Sequence, residues 1–116
     1  MAKLTNIHIA SIYGGVSIEP QINELRKAEL VVGTPGRVMD HLERKTLILN
    51  NVRYFVLDEA DRMLEMGFIE DIKNILRNVP KDKQSLLFSA TMPSAIKSIV
   101  QHNFKNPVFH KRKNTC

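Results

Sequence analysis

The chain has 116 residues, of which 43% are hydrophobic, so it can bury one core and is expected to form a single domain. Its formal net charge of +5 favours polyanionic partners, and no apolar stretch approaches the roughly 18 residues that a membrane span requires. The only cysteine, Cys116, has no partner in the chain, which excludes an internal disulfide framework and indicates a reducing, cytoplasmic setting.

The first predicted element is a strand over residues 4–13, where apolar and polar side chains alternate. Gly14 and Gly15 end this strand, and a glycine pair permits positive φ and a close approach of the backbone to a phosphate group. A turn that only needs flexibility explains the pair equally well. The next helix is predicted to begin after Ser17 as its N-cap, with Pro20 in the first turn.

A short apolar strand over residues 29–33 leads directly into a second motif. Thr34 is the predicted N-cap of the following helix and Pro35 its first residue, so the free amides of this helix should point at the functional edge of the sheet. Gly36 and Arg37 follow, and the Arg37 guanidinium can bind a phosphate through a bidentate, charge-assisted contact. A simple helix cap with a surface arginine is the alternative interpretation.

The third predicted strand, residues 52–57, is apolar and ends abruptly in the carboxylates of Asp58, Glu59 and Asp61. In open α/β sheets, ligands bind outside the carboxyl ends of the strands. We therefore expect Asp58 and Glu59 at the functional edge, where they can order a hydrated Mg²⁺ and activate a water. From these residues alone, a solvated acidic turn or the negatively charged start of a helix is an equal alternative.

The segment after these carboxylates has amphipathic spacing and predicts a short helix, an interruption near Gly67 and a longer helix that ends before Pro80. The fourth predicted strand, residues 84–88, delivers Ser89 and Thr91 to the same edge as the carboxylates. Serine and threonine also cap helices frequently, so these two hydroxyl groups indicate a functional site only weakly by themselves.

Together, four motifs resemble those of the DEAD-box ATP-dependent RNA helicases in type and order, over roughly residues 4–110. The motifs are Gly14-Gly15, Thr34-Pro35-Gly36-Arg37, Asp58-Glu59-Ala60-Asp61 and Ser89-Ala90-Thr91. The resemblance implies an α/β fold, namely the second half of the family's first RecA-like domain, with a mainly parallel sheet of about four strands and helices on both faces. Residues 1–110 would form this partial domain, without the phosphate-loop region, and residues 111–116 a basic tail.

The same resemblance implies roles for the motif residues. Asp58, with Glu59, holds Mg²⁺ largely through water, and Glu59 positions or deprotonates the attacking water. Asp61, Ser89 and Thr91 relay the nucleotide state to RNA binding. The first two motifs, Gly14 with Gly15 and Thr34 with Pro35, Gly36 and Arg37, grip the sugar-phosphate backbone of one RNA strand without reading bases. ATP and Mg²⁺ are the implied cofactors of the complete protein.

Parts of that machinery are absent from the sequence. The pattern Gly-x-x-x-x-Gly-Lys-Thr/Ser occurs nowhere in it. The family's second domain, which supplies an arginine finger, is also missing, and an arginine finger alone can raise the rate of hydrolysis by about 10³ to 10⁵. The isolated chain is therefore expected to hydrolyse ATP negligibly and not to unwind RNA. In the family's sheet the phosphate-loop strand neighbours the strand at residues 84–88, so that strand is predicted to have an open edge that favours self-association.

Two other interpretations use the same residues differently. The chain could act as it stands, as a non-catalytic RNA-binding or interaction module that keeps the backbone-gripping loops. It could also be an unrelated Mg²⁺-dependent α/β enzyme that uses Asp58 and Glu59, but this leaves the other three motifs unexplained.

Overall fold

The computed structural model describes residues 6–110, in which strands and helices alternate. In chain order these elements are β1 (Ile9–Ile12), α1 (Glu19–Leu25), β2 (Leu30–Gly33), α2 (Pro35–Glu43), β3 (Tyr54–Leu57), α3 (Ala60–Glu65), α4 (Ile69–Arg77), β4 (Gln84–Leu87) and α5 (Ser94–Asn103). The expected beginning of the first strand at residues 4 and 5, the basic tail and Cys116 lie outside the described residues. Among the described residues, no helix is both long enough and apolar enough to cross a membrane.

All four described strands are parallel to their partners, as predicted, but they form two sheets of two strands rather than one sheet. Strand β1 pairs with β2, with Ile9 opposite Leu30, and β3 pairs with β4, with Tyr54 opposite Gln84. Within residues 6–110, no strand ladder joins β2 to β3. The sequence pattern identifies strands by their side chains, but which strands become neighbours depends on the paths of the connections between them.

Helices cover one face of each strand pair, where Ala10 and Ile12 of β1 and Leu57 of β3 are buried. The alternate side chains point to the opposite face, and Tyr54 there is 70% exposed. The large exposed apolar residues of that face are Ile9, Leu30, Val32, Tyr54, Val56, Leu86 and Phe88. Within the described residues, these apolar side chains are left at least 44% exposed.

The two halves of the chain have different interiors. In the half that contains β3 and β4, an apolar cluster joins β3 to α3, α4 and α5. Its buried members are Leu57, Ala60, Ile72, Leu76, Ile96 and Ile99. In the half that contains β1 and β2, two polar side chains, Gln21 and His41, are buried beside Ala10 and Ile12.

Local signals placed several helix ends correctly. Thr34 is the N-cap of α2 and Pro35 its first residue, and Gly67, with φ +85°, separates α3 from α4. The predicted N-cap Ser17 is wrong by one residue, since Ile18 is the N-cap of α1 and its side chain makes no capping hydrogen bond. Pro20 lies at the start of α1, where its missing N–H costs no helical hydrogen bond.

Gly33 fixes the distance between the β1–β2 pair and α2. A Cβ atom on Gly33 would lie 2.8 Å from the carbonyl oxygen of Ile12 and 2.9 Å from Cγ2 of Val38 in α2. Only a residue without a side chain fits between the strand and the helix at this point. The beginning of α2 is thus held directly at the carboxyl end of β2.

Candidate functional site

The ends of β3 and β4 are joined by hydrogen bonds among Asp61, Ser89 and Thr91. The Asp61 amide donates to Ser89 Oγ over 3.1 Å, and this hydroxyl donates to the Thr91 carbonyl oxygen over 2.6 Å. The Thr91 amide and the Thr91 hydroxyl both donate to Asp61 Oδ2, each over 3.2 Å. The structure therefore brings together three of the residues that the sequence singled out, although Asp61 and Thr91 are 30 positions apart.

The contacts of Asp61 favour its charged form. Partial burial alone would raise the pKa of this carboxyl, but hydrogen bonds from the Thr91 hydroxyl and the Arg62 amide outweigh it and lower the pKa below the ordinary value. A main-chain hydrogen bond also joins the ends of β3 and β4, because the Phe88 amide donates to the Leu57 carbonyl oxygen over 2.8 Å. The Asp61 side chain is thus hydrogen-bonded directly to the segment after β4.

Asp58 and Glu59 lie at the same strand end, and both are exposed. The Glu59 amide donates to Asp58 Oδ1 over 2.9 Å, and Glu59, the N-cap of α3, has φ +52°, a conformation that costs energy for a residue with a side chain. Within the described residues no three potential ligands form a metal cluster. An exposed aspartate with a free carboxylate oxygen nevertheless fits a hydrated Mg²⁺, which keeps several waters and takes its remaining ligands from nucleotide phosphates.

The second group of predicted residues lies at the ends of β1 and β2. Gly14 and Gly15 form an exposed turn in which only Gly15 has positive φ, +83°, and a Cβ atom on either residue would meet nothing within 4 Å. The same space surrounds Gly36 in the first turn of α2. Neither internal packing nor backbone conformation requires glycine at positions 14 and 36, so these positions leave the main chain open to an external group.

The start of α2 offers unsatisfied donors. Thr34 precedes the helix in an extended conformation, and its side chain makes no capping hydrogen bond to the first amides. The amides of Gly36 and Arg37 therefore have no partner within the helix, and the positive end of the helix dipole lies beside them. Backbone amides in this arrangement bind phosphate oxygens.

The Arg37 guanidinium was expected to bind a phosphate through a bidentate contact, but in the structure it is hydrogen-bonded within the chain. Its Nη1 donates to Gln21 Oε1 and its Nη2 to the Val16 carbonyl oxygen, each over 3.0 Å. Both acceptors are neutral, and among the described residues no carboxylate lies within ion-pair distance of Arg37. Arg37 therefore fixes the glycine turn against α2 and keeps its positive charge beside both.

Sequence reasoning missed Gln21 and His41, which support this arrangement from beneath. Gln21 lies three residues after Ile18 and four before Leu25, on the apolar stripe of α1, and it is 6% exposed. A polar residue at a stripe position was the available signal. His41 is fully buried, and its Nε2 lies 3.1 Å from Gln21 Oε1.

Comparison with known proteins agrees with this geometry. Residues 1–99 match the family described as DEAD/DEAH box helicase. The chain is 55% identical over 108 residues to a probable ATP-dependent RNA helicase of Methanocaldococcus jannaschii, which covers 93% of this chain and 29% of that protein. It is 52% identical over 114 residues to the DEAD-box ATP-dependent RNA helicase CshA of Bacillus cereus, with coverage of 97% and 22%.

Two solved structures have the same fold. The crystal structure of a DEAD box protein from the hyperthermophile Methanococcus jannaschii superposes with a TM-score of 0.84 at 55% identity, over 87% of this chain and 28% of that one. A hypothetical ATP-dependent RNA helicase from Sulfolobus tokodaii gives 0.85 at 39% identity, over 90% and 32%. The chain thus spans less than a third of each of these proteins. Because the family match covers residues 1–99 of 116, the chain belongs to the DEAD/DEAH box helicase family.

Proposed function

We propose that this chain is the part of an ATP-dependent RNA helicase that contacts the RNA backbone and relays the nucleotide state, and that by itself it binds RNA without hydrolysing ATP. Residues 1–110 are the partial first RecA-like domain in this proposal and residues 111–116 its basic tail. The proposal keeps the cytoplasmic setting inferred from the unpaired cysteine. ATP and Mg²⁺ belong to the activity of the complete protein.

The observation that carries the RNA-binding part is the open main chain at Gly14, Gly15 and Gly36 beside the uncapped start of α2. Backbone amides, the Thr34 hydroxyl and the charge of Arg37 recognise phosphates and not base edges, so binding is independent of sequence. Pro35 holds the first turn of α2 in the conformation that presents these amides.

The relay of the nucleotide state is assigned to the residues that follow β3 and β4. Bound Mg²⁺ supplies charge neutralisation of the nucleotide phosphates. Asp58 holds its hydration shell, and Glu59 orients or deprotonates the attacking water. Asp61 senses the state of that site and passes it to Ser89 and Thr91, to which it is already hydrogen-bonded. Phosphoryl transfer depends on positioning all phosphate contacts together, and the sequence contains no phosphate-loop pattern.

Fluorescence anisotropy with a labelled single-stranded RNA tests the RNA-binding part. We expect equal affinity for unrelated sequences and weaker binding as salt increases, because phosphate contacts release counterions. Gly36→Ala should weaken binding, since the added methyl group enters the space where the phosphate approaches. Gln101→Ala is the control, because Gln101 lies on the exposed surface of α5, away from the proposed RNA contacts, and its replacement adds no backbone strain. Equal affinity of both variants would contradict the assignment.

ATP hydrolysis with and without RNA, measured beside the Glu59→Gln variant, tests the catalytic part. We expect no turnover above that variant. RNA-stimulated turnover that Glu59→Gln abolishes would mean that the chain contains a complete phosphate site, and the proposed division of labour would be wrong. A stand-alone RNA-binding module predicts the same two results, and a source gene without an upstream phosphate loop would favour it.

We also propose that the chain associates with itself. Each described strand has one hydrogen-bonded neighbour, so both pairs have open edges beside an exposed apolar face that includes Val56 and Leu86. Sedimentation velocity should detect dimers or larger species as the concentration rises, and Val56→Lys should reduce them. A single monomeric species at high concentration would contradict self-association.

A further inference from the structure

The two main-chain carbonyl groups that flank the glycine turn are each held by a side chain from a helix. Gln21 Nε2 donates to the Tyr13 carbonyl oxygen over 3.0 Å, immediately before Gly14. Arg37 Nη2 donates to the Val16 carbonyl oxygen over 3.0 Å, immediately after Gly15. The turn is therefore fixed on both sides, once from α1 and once from α2.

A partly buried hydrogen-bond network joins these two contacts. Gln21 Oε1 accepts from Arg37 Nη1 over 3.0 Å and lies 3.1 Å from His41 Nε2. His41 Nδ1 in turn lies 2.8 Å from the hydroxyl of Thr46, which follows α2. One side chain, Gln21, thus contacts the turn, the arginine of the second motif and the buried histidine.

The chemistry of the donors and acceptors fixes the orientation of the Gln21 amide. The Gln21 amide must direct its oxygen to Arg37, because the guanidinium has only donors, and its nitrogen to the Tyr13 carbonyl. Gln21 Oε1 then requires a proton on His41 Nε2. The Thr46 hydroxyl has two acceptors within reach, His41 Nδ1 over 2.8 Å and the His41 carbonyl oxygen over 3.2 Å, and with a neutral ring it donates to the nearer, Nδ1. Burial lowers the pKa of His41, which favours this neutral ring.

We propose that Gln21 and His41 are positioning residues for RNA binding, which set the glycine turn and the start of α2 at the spacing needed to contact one RNA strand together. The proposal rests on the proposed RNA binding by these two motifs. Apolar side chains could fill the same volume, but only directional hydrogen bonds fix the orientation of two main-chain segments. Gln21 and His41 themselves do not reach the RNA, since both are buried.

The experiment compares Gln21→Met, His41→Leu and His41→Gln in this chain. Methionine and leucine keep the volume and remove the hydrogen bonds, whereas the glutamine at position 41 can still donate to Gln21 Oε1. Gln101→Met, on the exposed surface of α5, is the matched control. Two quantities are measured: affinity for single-stranded RNA, and backbone order parameters of Gly14 and Gly15 from nuclear magnetic resonance relaxation.

We expect Gln21→Met and His41→Leu to lower the order parameters of the turn from about 0.85 to below about 0.6, while those of α4 stay unchanged. RNA affinity should fall about tenfold, the scale on which one lost buried hydrogen bond changes an equilibrium. His41→Gln should restore most of both quantities, and Gln101→Met should change neither.

Unchanged order parameters in Gln21→Met would overturn the proposal, as would equal losses in His41→Leu and His41→Gln, which would indicate that only packing matters. If Gln21→Met does not fold, Thr46→Val removes the hydroxyl partner of His41 and should give the same changes at smaller size. Wild-type chain that binds no RNA would refute the proposed RNA binding, while the order parameters would still decide whether the network positions the turn.

Discussion

The two strand pairs differ in what holds them together. The β3–β4 pair is attached to its helices by a continuous apolar cluster that includes Ile72 and Ile96, whereas the β1–β2 pair has Gln21 and His41 in its interior. Apolar packing is strong but not directional, and hydrogen bonds are weaker in net free energy but fix orientation. The difference indicates that the β3–β4 half supplies most of the stability, and that the β1–β2 half supplies a defined arrangement of main-chain groups.

The largest expected effect is in the apolar cluster. Ile96→Ala removes three carbons from a fully buried side chain and should lower the free energy of unfolding by about 2–5 kcal/mol, because the cavity cannot close completely. Urea denaturation measures this loss. Ile48→Ala is the control, since Ile48 is 69% exposed and its truncation should cost little. Similar losses in the two variants would contradict the apolar cluster as the main source of stability.

Gly33→Ala should be the most damaging small change in the β1–β2 half. The new Cβ atom would meet the main chain of Ile12, which cannot move aside as a flexible side chain can. We expect a loss of about 1–3 kcal/mol in the free energy of unfolding, as for other overpacked sites. Gly36→Ala adds the same methyl group in open space at the start of α2 and should not destabilise the chain. If the two alanine variants unfold at the same urea concentration, the claim that Gly33 has no room for a Cβ atom is contradicted.

The halves should also lose stability in different pH ranges. Burial lowers the pKa of His41 below its ordinary 6.5, so its contribution is complete above that pH and is lost as the pH falls toward the folded-state pKa. The pKa of Asp61 is lowered below 3.8 by its hydrogen bonds, against the opposing effect of burial, so its contribution is lost only in stronger acid. His41→Gln should flatten the first decline and Asp61→Asn the second.

Urea denaturation at a series of pH values measures both declines. The hydrogen bond to Arg44 lowers the pKa of Asp40, so Asp40 also contributes to the loss of stability in acid, and it does so equally in every variant. If the free energy of unfolding falls equally in wild type and in His41→Gln between neutral and mildly acidic pH, protonation of His41 does not cause that fall.

The smallest expected effect concerns backbone strain at one helix end in each half. Lys45 follows α2 with φ +61°, and Glu59 precedes α3 with φ +52°. Glycine adopts this conformation freely, so Lys45→Gly and Glu59→Gly should each raise the free energy of unfolding by up to about 1 kcal/mol. Each variant should therefore show a slightly higher melting temperature. Lys27→Gly is the control, because Lys27 lies outside the left-handed region and its replacement should not stabilise the chain. A lower melting temperature in both test variants would contradict strain at these positions.

The sequence by itself determined the local features of the chain. Thr34 and Pro35 specify the start of α2, Gly67 specifies the break between α3 and α4, and the apolar run before Asp58 specifies a strand with carboxylates at its end. Each depends on φ and ψ preferences or on the spacing of apolar side chains over a few residues. Such preferences act within one or two turns of chain, so they can be read without knowing the fold.

Only the tertiary structure decided which groups meet. It divided the strands into two sheets, turned the Arg37 guanidinium to Gln21 and the Val16 carbonyl, and brought Thr91 to Asp61 across 30 positions. Local preferences do not encode these partners, because many pairings satisfy the same pattern of polar and apolar residues. The partner of a polar group is fixed by the packing of whole elements, and for this chain that packing placed a buried glutamine and histidine beneath the proposed RNA contacts.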